Sequence, residues 1–187
     1  MSEPGAQAAP EATRPAPPRA RQPGAAARAA AYRRFWLIAA GVLAADQASK
    51  LWIAGRIAYP TTSADPGAIV LVPNFLYLIH VGNTGAAWSL FTGQSVLLGA
   101  LAAATLAAIY FGRRALGLKE GSTQICFGLL CGGILGNLCD RLLHGHVIDF
   151  IDLHFGSYIY PTFNVADSGI CVGVIAYLLK SLRSPES

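Results

Sequence analysis

Four stretches of this chain, at about 35–54, 95–111, 123–143 and 166–182, run almost without interruption through apolar side chains. An α-helix needs about 20 such residues to cross roughly 30 Å of hydrocarbon, so each stretch predicts a membrane span. Between the first and second, residues 68–81 are rich in Val, Ile, Leu and Tyr and are broken by Pro73-Asn74. That pattern reads as two short strands around a turn. Open strand edges cannot face lipid, so this β element belongs at the membrane interface or against the helices, as a wall or lid. The expected fold is a mostly α, polytopic membrane protein: four transmembrane helices with a small β element and loop at the outer face.

Small residues recur every four positions in the third and fourth spans, at Gly128, Gly132 and Gly136 and then at Gly169 and Gly173. Such spacing lets helix backbones approach closely, which predicts that the outer ends of these two spans lie together. Residues 1–31 are different: they are rich in Pro, Ala, Gly and Arg with no hydrophobic period. A segment of that kind buries too little surface to offset its ordering entropy and reads as a disordered cytoplasmic tail, leaving 32–187 as one membrane domain. Arg33-Arg34 and the apolar run behind them resemble a signal sequence, but the run is long, contains Asp46 and shows no small-residue cleavage site. It is expected to stay as the first span.

Composition agrees. Of the 187 residues, 53% are hydrophobic and only 13% charged, too apolar a balance for an ordinary soluble domain. The formal charge of +4 does not call for a nucleic acid, because the basic residues sit at span ends. Arg28, Arg33 and Arg34, then Arg113, Arg114 and Lys119, then Lys180 and Arg183 fall on one side, against Lys50, Arg56 and Arg141 on the other. The positive-inside rule then places both termini in the cytoplasm. Cys126, Cys131, Cys139 and Cys171 all lie in apolar stretches without the paired spacing of a zinc site or a disulfide framework, and read as small packing residues.

With this topology the polar residues gather at the outer face. Asp46 and Lys50 lie in the outer half of the first span, and Asn83 precedes the second. Asn137, Asp140 and Arg141 end the third, Asp149 lies in the loop leaving it, and Asn164 and Asp167 open the fourth. Ionisable groups at membrane depth are expensive and face a cavity or a partner. Asp46 with Lys50 at i,i+4 spacing, and Asp140 or another acid with Arg141, read as ion pairs that anchor helix ends. Asp149 and Asp167 are then left without a basic partner, each in apolar sequence. Two close carboxylates cannot both ionise cheaply, so one stays neutral beside an ionised neighbour, the chemistry of an aspartic protease dyad needing no metal or cofactor. On these residues alone Asp167 reads equally as a helix cap and Asp149 as a solvated loop acid.

Five blocks, in order, decide between these readings: Asp46-Gln47-Ala48-Ser49-Lys50, Asn83-Thr84-Gly85-Ala86-Ala87-Trp88-Ser89, Gly132-Gly133-Ile134-Leu135-Gly136-Asn137-Leu138-Cys139-Asp140-Arg141, Val147-Ile148-Asp149-Phe150 and Phe163-Asn164-Val165-Ala166-Asp167-Ser168. The chain resembles the bacterial lipoprotein signal peptidases, or signal peptidase II, over about 35–182. The resemblance implies that Asp149 and Asp167 are the catalytic pair, and that the enzyme removes signal peptides of lipid-modified prolipoproteins before the lipidated cysteine. It also implies a multi-pass protein of the bacterial cytoplasmic membrane, active towards the outer leaflet and working on lipid-borne substrates among membrane lipids; a monomer is expected, though the sequence itself does not fix the oligomeric state. Asp46, Lys50, Asn83, Asn137, Asp140, Arg141 and Asn164 fall on the family's other polar positions and are expected to hold the dyad and substrate in register. Trp88 departs from it, standing where Phe is more usual, and the Pro/Ala-rich tail is unusual.

Two other classes compete. His144, His146, Asp149, Asp152 and His154 are possible zinc ligands within eleven residues, though in no common zinc spacing. A small transporter or proton relay would instead distribute polar residues through the membrane depth, whereas here they stop in the outer half.

Overall fold

The computed structural model describes residues 30–183. The expected disordered tail, apart from Ala30 and Ala31, lies outside them. Four helices, α1 (Arg33–Arg56), α2 (Ser95–Gly112), α3 (Gly121–His144) and α4 (Val165–Arg183), occupy the predicted spans. Each is long and apolar enough to cross a membrane. The apolar runs set the helices, and local signals set their ends. α3, for example, stops at Gly145, whose φ of 76° is the left-handed conformation that glycine adopts without steric cost.

α3 is the central helix, packed on α1 and α4, with α2 leaning against it. The end of α3 and the start of α4, the predicted outer ends, lie together as expected, with Asn137 Nδ2 2.7 Å from Asp167 Oδ1, but the α3 glycines at four-residue spacing serve a different helix. Gly128, Gly132 and Gly136 face α1: a Cβ at these positions would strike Ile38, the Ala39 carbonyl and the Asp46 carboxylate respectively. Contact with α4 comes from Gly133, pressed against the Ala166 carbonyl, and from Gly173, against the Cys126 carbonyl. Successive residues point about 100° apart around a helix, so α3 can present one glycine face to α1 and another to α4.

The β element is larger than the sequence pattern indicated. Strands β1 (Ile69–Val72) and β2 (Leu76–Asn83) form the expected hairpin, with Asn74 in the left-handed region at φ 59° in its turn. Strands β3 (Val147–Phe155) and β4 (Tyr158–Ile159) extend it to a four-stranded antiparallel sheet in the order β1-β2-β3-β4. Asp149 is therefore on a strand, not in a loop, opposite Val81 of β2. The reason is non-local, since β3 is a strand by virtue of ladder bonds to a partner strand far away in sequence.

Two apolar clusters bracket the bundle. At the sheet end Ile53, Ile57 and Phe150 are buried together, with Leu78 and Val165 packed on them. At the opposite end Ile109, Leu118, Phe127 and Cys131 form a second cluster. Arg33, Arg34, Arg113, Arg114 and Lys119 surround that end, where Lys180 also meets Glu120 at 2.5 Å. All four cysteines are free, with Cys126 and Cys131 buried.

Candidate active site

Side chains alternate across a strand, so when Phe150 packs onto Ile53 and Ile57, Asp149 points the other way. There its Oδ1 accepts from Asn164 Nδ2 at 2.7 Å and its Oδ2 from Asn83 Nδ2 at 2.9 Å. Asn83 lies two residues beyond the ladder partner of Asp149 and so shares its face of the sheet. Asp167 arrives from α4. Asn164 caps that helix through Oδ1, which accepts from the Asp167 amide at 2.9 Å, while Asp167 Oδ2 accepts from the Asn164 amide at 3.2 Å. This is a reciprocal capping box, and it fixes the Asp167 carboxylate at the helix start. Asn164, not Asp167, is thus the cap residue, and Asp167 completes the box from the third helical position, which is also how its side chain is held beside Asp149.

The two carboxylates share a pair of amides. Asn137 Nδ2 donates to Asp167 Oδ1 at 2.7 Å, and Asn164 Nδ2, besides reaching Asp149, lies 3.2 Å from Asn137 Oδ1. Asp149 is buried and Asp167 partly exposed, so the pair is open on one side. The Asp149 carboxyl is pushed up to about 7, first by burial and then by the negative charge of Asp167, against the opposing donors Asn83 and Asn164. Such a pair retains one proton between two carboxyls near neutral pH.

Behind it sits a buried ion cluster. Lys50 Nζ lies 2.8 Å from Asp46 and 2.8 Å from Asp140, and 3.2 Å from Asn137 Oδ1. Asp46, Lys50 and Asp140 are all 2% exposed or less. Each acid also accepts from the chain just before a dyad member: Asp46 Oδ1 from the Ala166 amide at 2.9 Å, and Asp140 Oδ2 from the Ile148 amide at 3.0 Å. One ammonium therefore ties together the backbone positions preceding Asp167 and Asp149.

The expected Asp140–Arg141 pairing does not form, because adjacent helical residues point apart and Asp140 turns inwards to Lys50. Arg141 reaches out, giving Nη2 to the Gly85 carbonyl at 2.9 Å, while its buried Nε has no partner among the described residues. Gln47 was not singled out from the sequence. Its Nε2 contacts Asp46 at 3.1 Å, Asp140 at 3.0 Å and the Gly136 carbonyl at 3.3 Å, and its place beside Asp46 in a shared block was the only signal. The zinc candidates are not brought together: His154 pairs with Asp152 at 2.8 Å, and His146 stacks on Tyr59. Among the described residues no group of three or more potential ligands converges.

The family model described as signal peptidase (SPase) II matches residues 38–183, most of the chain and all of the residues above. The chain belongs to the signal peptidase II family. Among its relatives, the lipoprotein signal peptidase of Serratia proteamaculans (strain 568) is 37% identical over 159 residues, covering 83% of this chain and 89% of that one. The lipoprotein signal peptidase of Geobacillus thermodenitrificans (strain NG80-2) is 38% identical over 141 residues, covering 75% and 84%. A solved bacterial membrane enzyme structure superposes with a TM-score of 0.70 at 32% identity, covering 82% of this chain and 92% of that one. As a signal peptidase II family member the chain is an aspartic-type peptidase, and the Asp149–Asp167 pair is the arrangement in it that suits such chemistry.

Proposed function

We propose that this chain is an intramembrane aspartyl endopeptidase that removes the signal peptide from lipid-modified prolipoproteins, cutting before the diacylglyceryl-cysteine. The carrying observation is the pair Asp149 and Asp167, from a strand and a helix, bridged by Asn137 and Asn164 at the sheet end of the bundle. Family membership supports the same reaction.

In this reading Asp167 is the ionised member and Asp149 the neutral one. Water attacks the scissile carbonyl carbon as Asp167 takes its proton, and the Asp149 carboxyl gives its proton to the carbonyl oxygen, forming a gem-diol. The Asp167 proton then passes to the amide nitrogen, the C–N bond breaks, and a gem-diol proton returns to Asp149. Amine, carboxylic acid and the starting dyad result. Arg141, whose Nη2 reaches the Gly85 carbonyl, orients the substrate through a backbone carbonyl, and Asn83 holds Asp149. Asp46, Lys50 and Asp140 keep the two backbones in place.

The setting suits the substrate. A signal peptide is itself an apolar helix, and the sheet end carries exposed Val70, Leu71, Phe75, Trp88, Phe91 and Phe155, a surface fit for lipid contact. In the cytoplasmic membrane, with both termini inside, this end faces the outer leaflet. Acyl chains then stay in the bilayer while the scissile amide reaches the dyad. One chain supplies the whole site, so a monomer suffices.

The test is cleavage of a lipid-modified prolipoprotein peptide in detergent by wild type, Asp149→Asn and Asp167→Asn at equal folded amounts. Each substitution should lower turnover by about 10²–10⁴-fold. Near-normal turnover by either one would refute the two-aspartate mechanism.

A further inference from the structure

The dyad occupies the sheet end, whereas a roomy cavity opens towards the other. About 1020 Å³ opens between α1, α2 and α3, lined by Phe35, Leu43, Leu106, Ile109 and Leu135, a volume typical of sites for sizeable apolar ligands. Tyr32, Arg113, Arg114 and Lys119 stand at its basic end. A second pocket of about 370 Å³ adjoins it, sharing Ala31 and Lys119, and is lined by Arg33, Arg34 and Gln124. The apolar and cationic compartments thus adjoin at Ala31 and Lys119. Arg33 to Asp46 is 13 residues of α1, roughly 20 Å at 1.5 Å per residue, so the cationic compartment is remote from the dyad, while the apolar one runs up α1 and α3 as far as Leu43 and Leu135.

Among the described residues, no ion pair involves Arg33, Arg34, Arg113, Arg114 or Lys119. The nearby carboxylate, Glu120, is taken by Lys180 at 2.5 Å and Ser122 at 2.7 Å. Arg113 folds over the Tyr110 ring, and the Arg34 guanidinium lies against Gly121, where any side chain would displace it. Gln124 pins this end by donating to the Ala31 carbonyl at 2.8 Å and accepting from the Phe35 amide at 3.3 Å.

We propose that this composite site binds one anionic glycerophospholipid, its phosphate between Arg33, Arg34 and Lys119 and an acyl chain in the apolar cavity. Charge decides among occupants. A signal peptide brings a positively charged leading segment, which these cations repel. Residues 1–29 carry four arginines against two glutamates and are repelled too. A lipid phosphate is attracted, by about a fivefold gain in affinity per nearby Lys or Arg.

Full-length protein would be titrated in detergent with phosphatidylglycerol or phosphatidylcholine and read by native mass spectrometry. One phosphatidylglycerol per chain is expected, favoured over phosphatidylcholine. Arg34→Gln with Lys119→Gln should weaken phosphatidylglycerol binding about thirtyfold, whereas Arg34→Lys with Lys119→Arg should keep it. Ala40→Trp, which fills the apolar cavity, should weaken both lipids and serves as the deciding variant should the glutamine pair fail to fold. Equal binding of the two lipids by wild type, or unchanged binding in the glutamine pair or in Ala40→Trp, overturns the proposal. So does complete displacement by inorganic phosphate, which marks a phosphate site, by a peptide of residues 1–29, or by formation of a lipid-free dimer.

Discussion

Replacing Lys50 with Met keeps the length of the side chain but leaves Asp46 and Asp140 facing each other, both almost wholly buried. Breaking a buried charge cluster from one side costs about 3–5 kcal/mol, so Lys50→Met should melt well below wild type in detergent and lose activity with it. An unchanged melting temperature would mean the cluster holds nothing. Asp149 carries a pH dependence. Its carboxyl is pushed up to about 7 and must be protonated to act, so kcat/KM should be present below that value and fall as pH rises through it. Asn83 donates to the ionised form, and Asn83→Ala should therefore move the alkaline limb to higher pH. A limb that stays put or moves down counts against Asp149 as the acid. At this scale the Asp46–Lys50 pair was legible because helical spacing alone brings i and i+4 together. Lys50–Asp140 was not, because it joins two helices, and the neighbouring Arg141 looked like the nearer partner.

Among the elements, α3 does most of the positioning because it contacts both of the helices that flank the site. A methyl at Gly136 would collide with the Asp46 carboxylate, so Gly136→Ala should lower both melting temperature and turnover. Gly41→Ala on α1, where a Cβ meets nothing within 4 Å, should lose neither. Equal behaviour of the two variants would show that the close approach of α1 and α3 is immaterial. The segment after β2 tolerates more. Trp88 sits at φ 54° with its side chain exposed, touching Tyr160 edge-on at a centroid distance of 6.3 Å. Phe keeps the aromatic face and changes no buried contact, so Trp88→Phe should leave turnover largely intact, a reading that a several-hundredfold loss would contradict. The hairpin of β1 and β2 was readable from strand-forming residues around Pro73-Asn74, since a tight turn is local. β3 was missed because Val147–Phe155 shows little alternation: it is buried on both faces over most of its length, and apolar residues with scattered acids resemble a loop.

For the molecule as a whole, the arrangement of basic ends predicts which side each loop faces. Ser157→Cys, beside β4, should react with a membrane-impermeant thiol reagent applied to intact spheroplasts, and Ala115→Cys, between α2 and α3, only after the membrane is opened. The reverse pattern would invert the orientation proposed above. Four spans, a hairpin and a polar end were determined by the sequence itself, because hydrophobic length, turn residues and charge clustering are properties of neighbouring positions. Which glycines meet which helix, the addition of β3 and β4 to the sheet, and the gathering of Asp46, Lys50 and Asp140 into one cluster were decided only by tertiary structure. Each depends on a partner that arrives from a distant part of the chain. The dyad stands between the two cases: the blocks holding Asp149 and Asp167 are visible in sequence, but the shared amides of Asn137 and Asn164 exist only once α3, β3 and α4 converge.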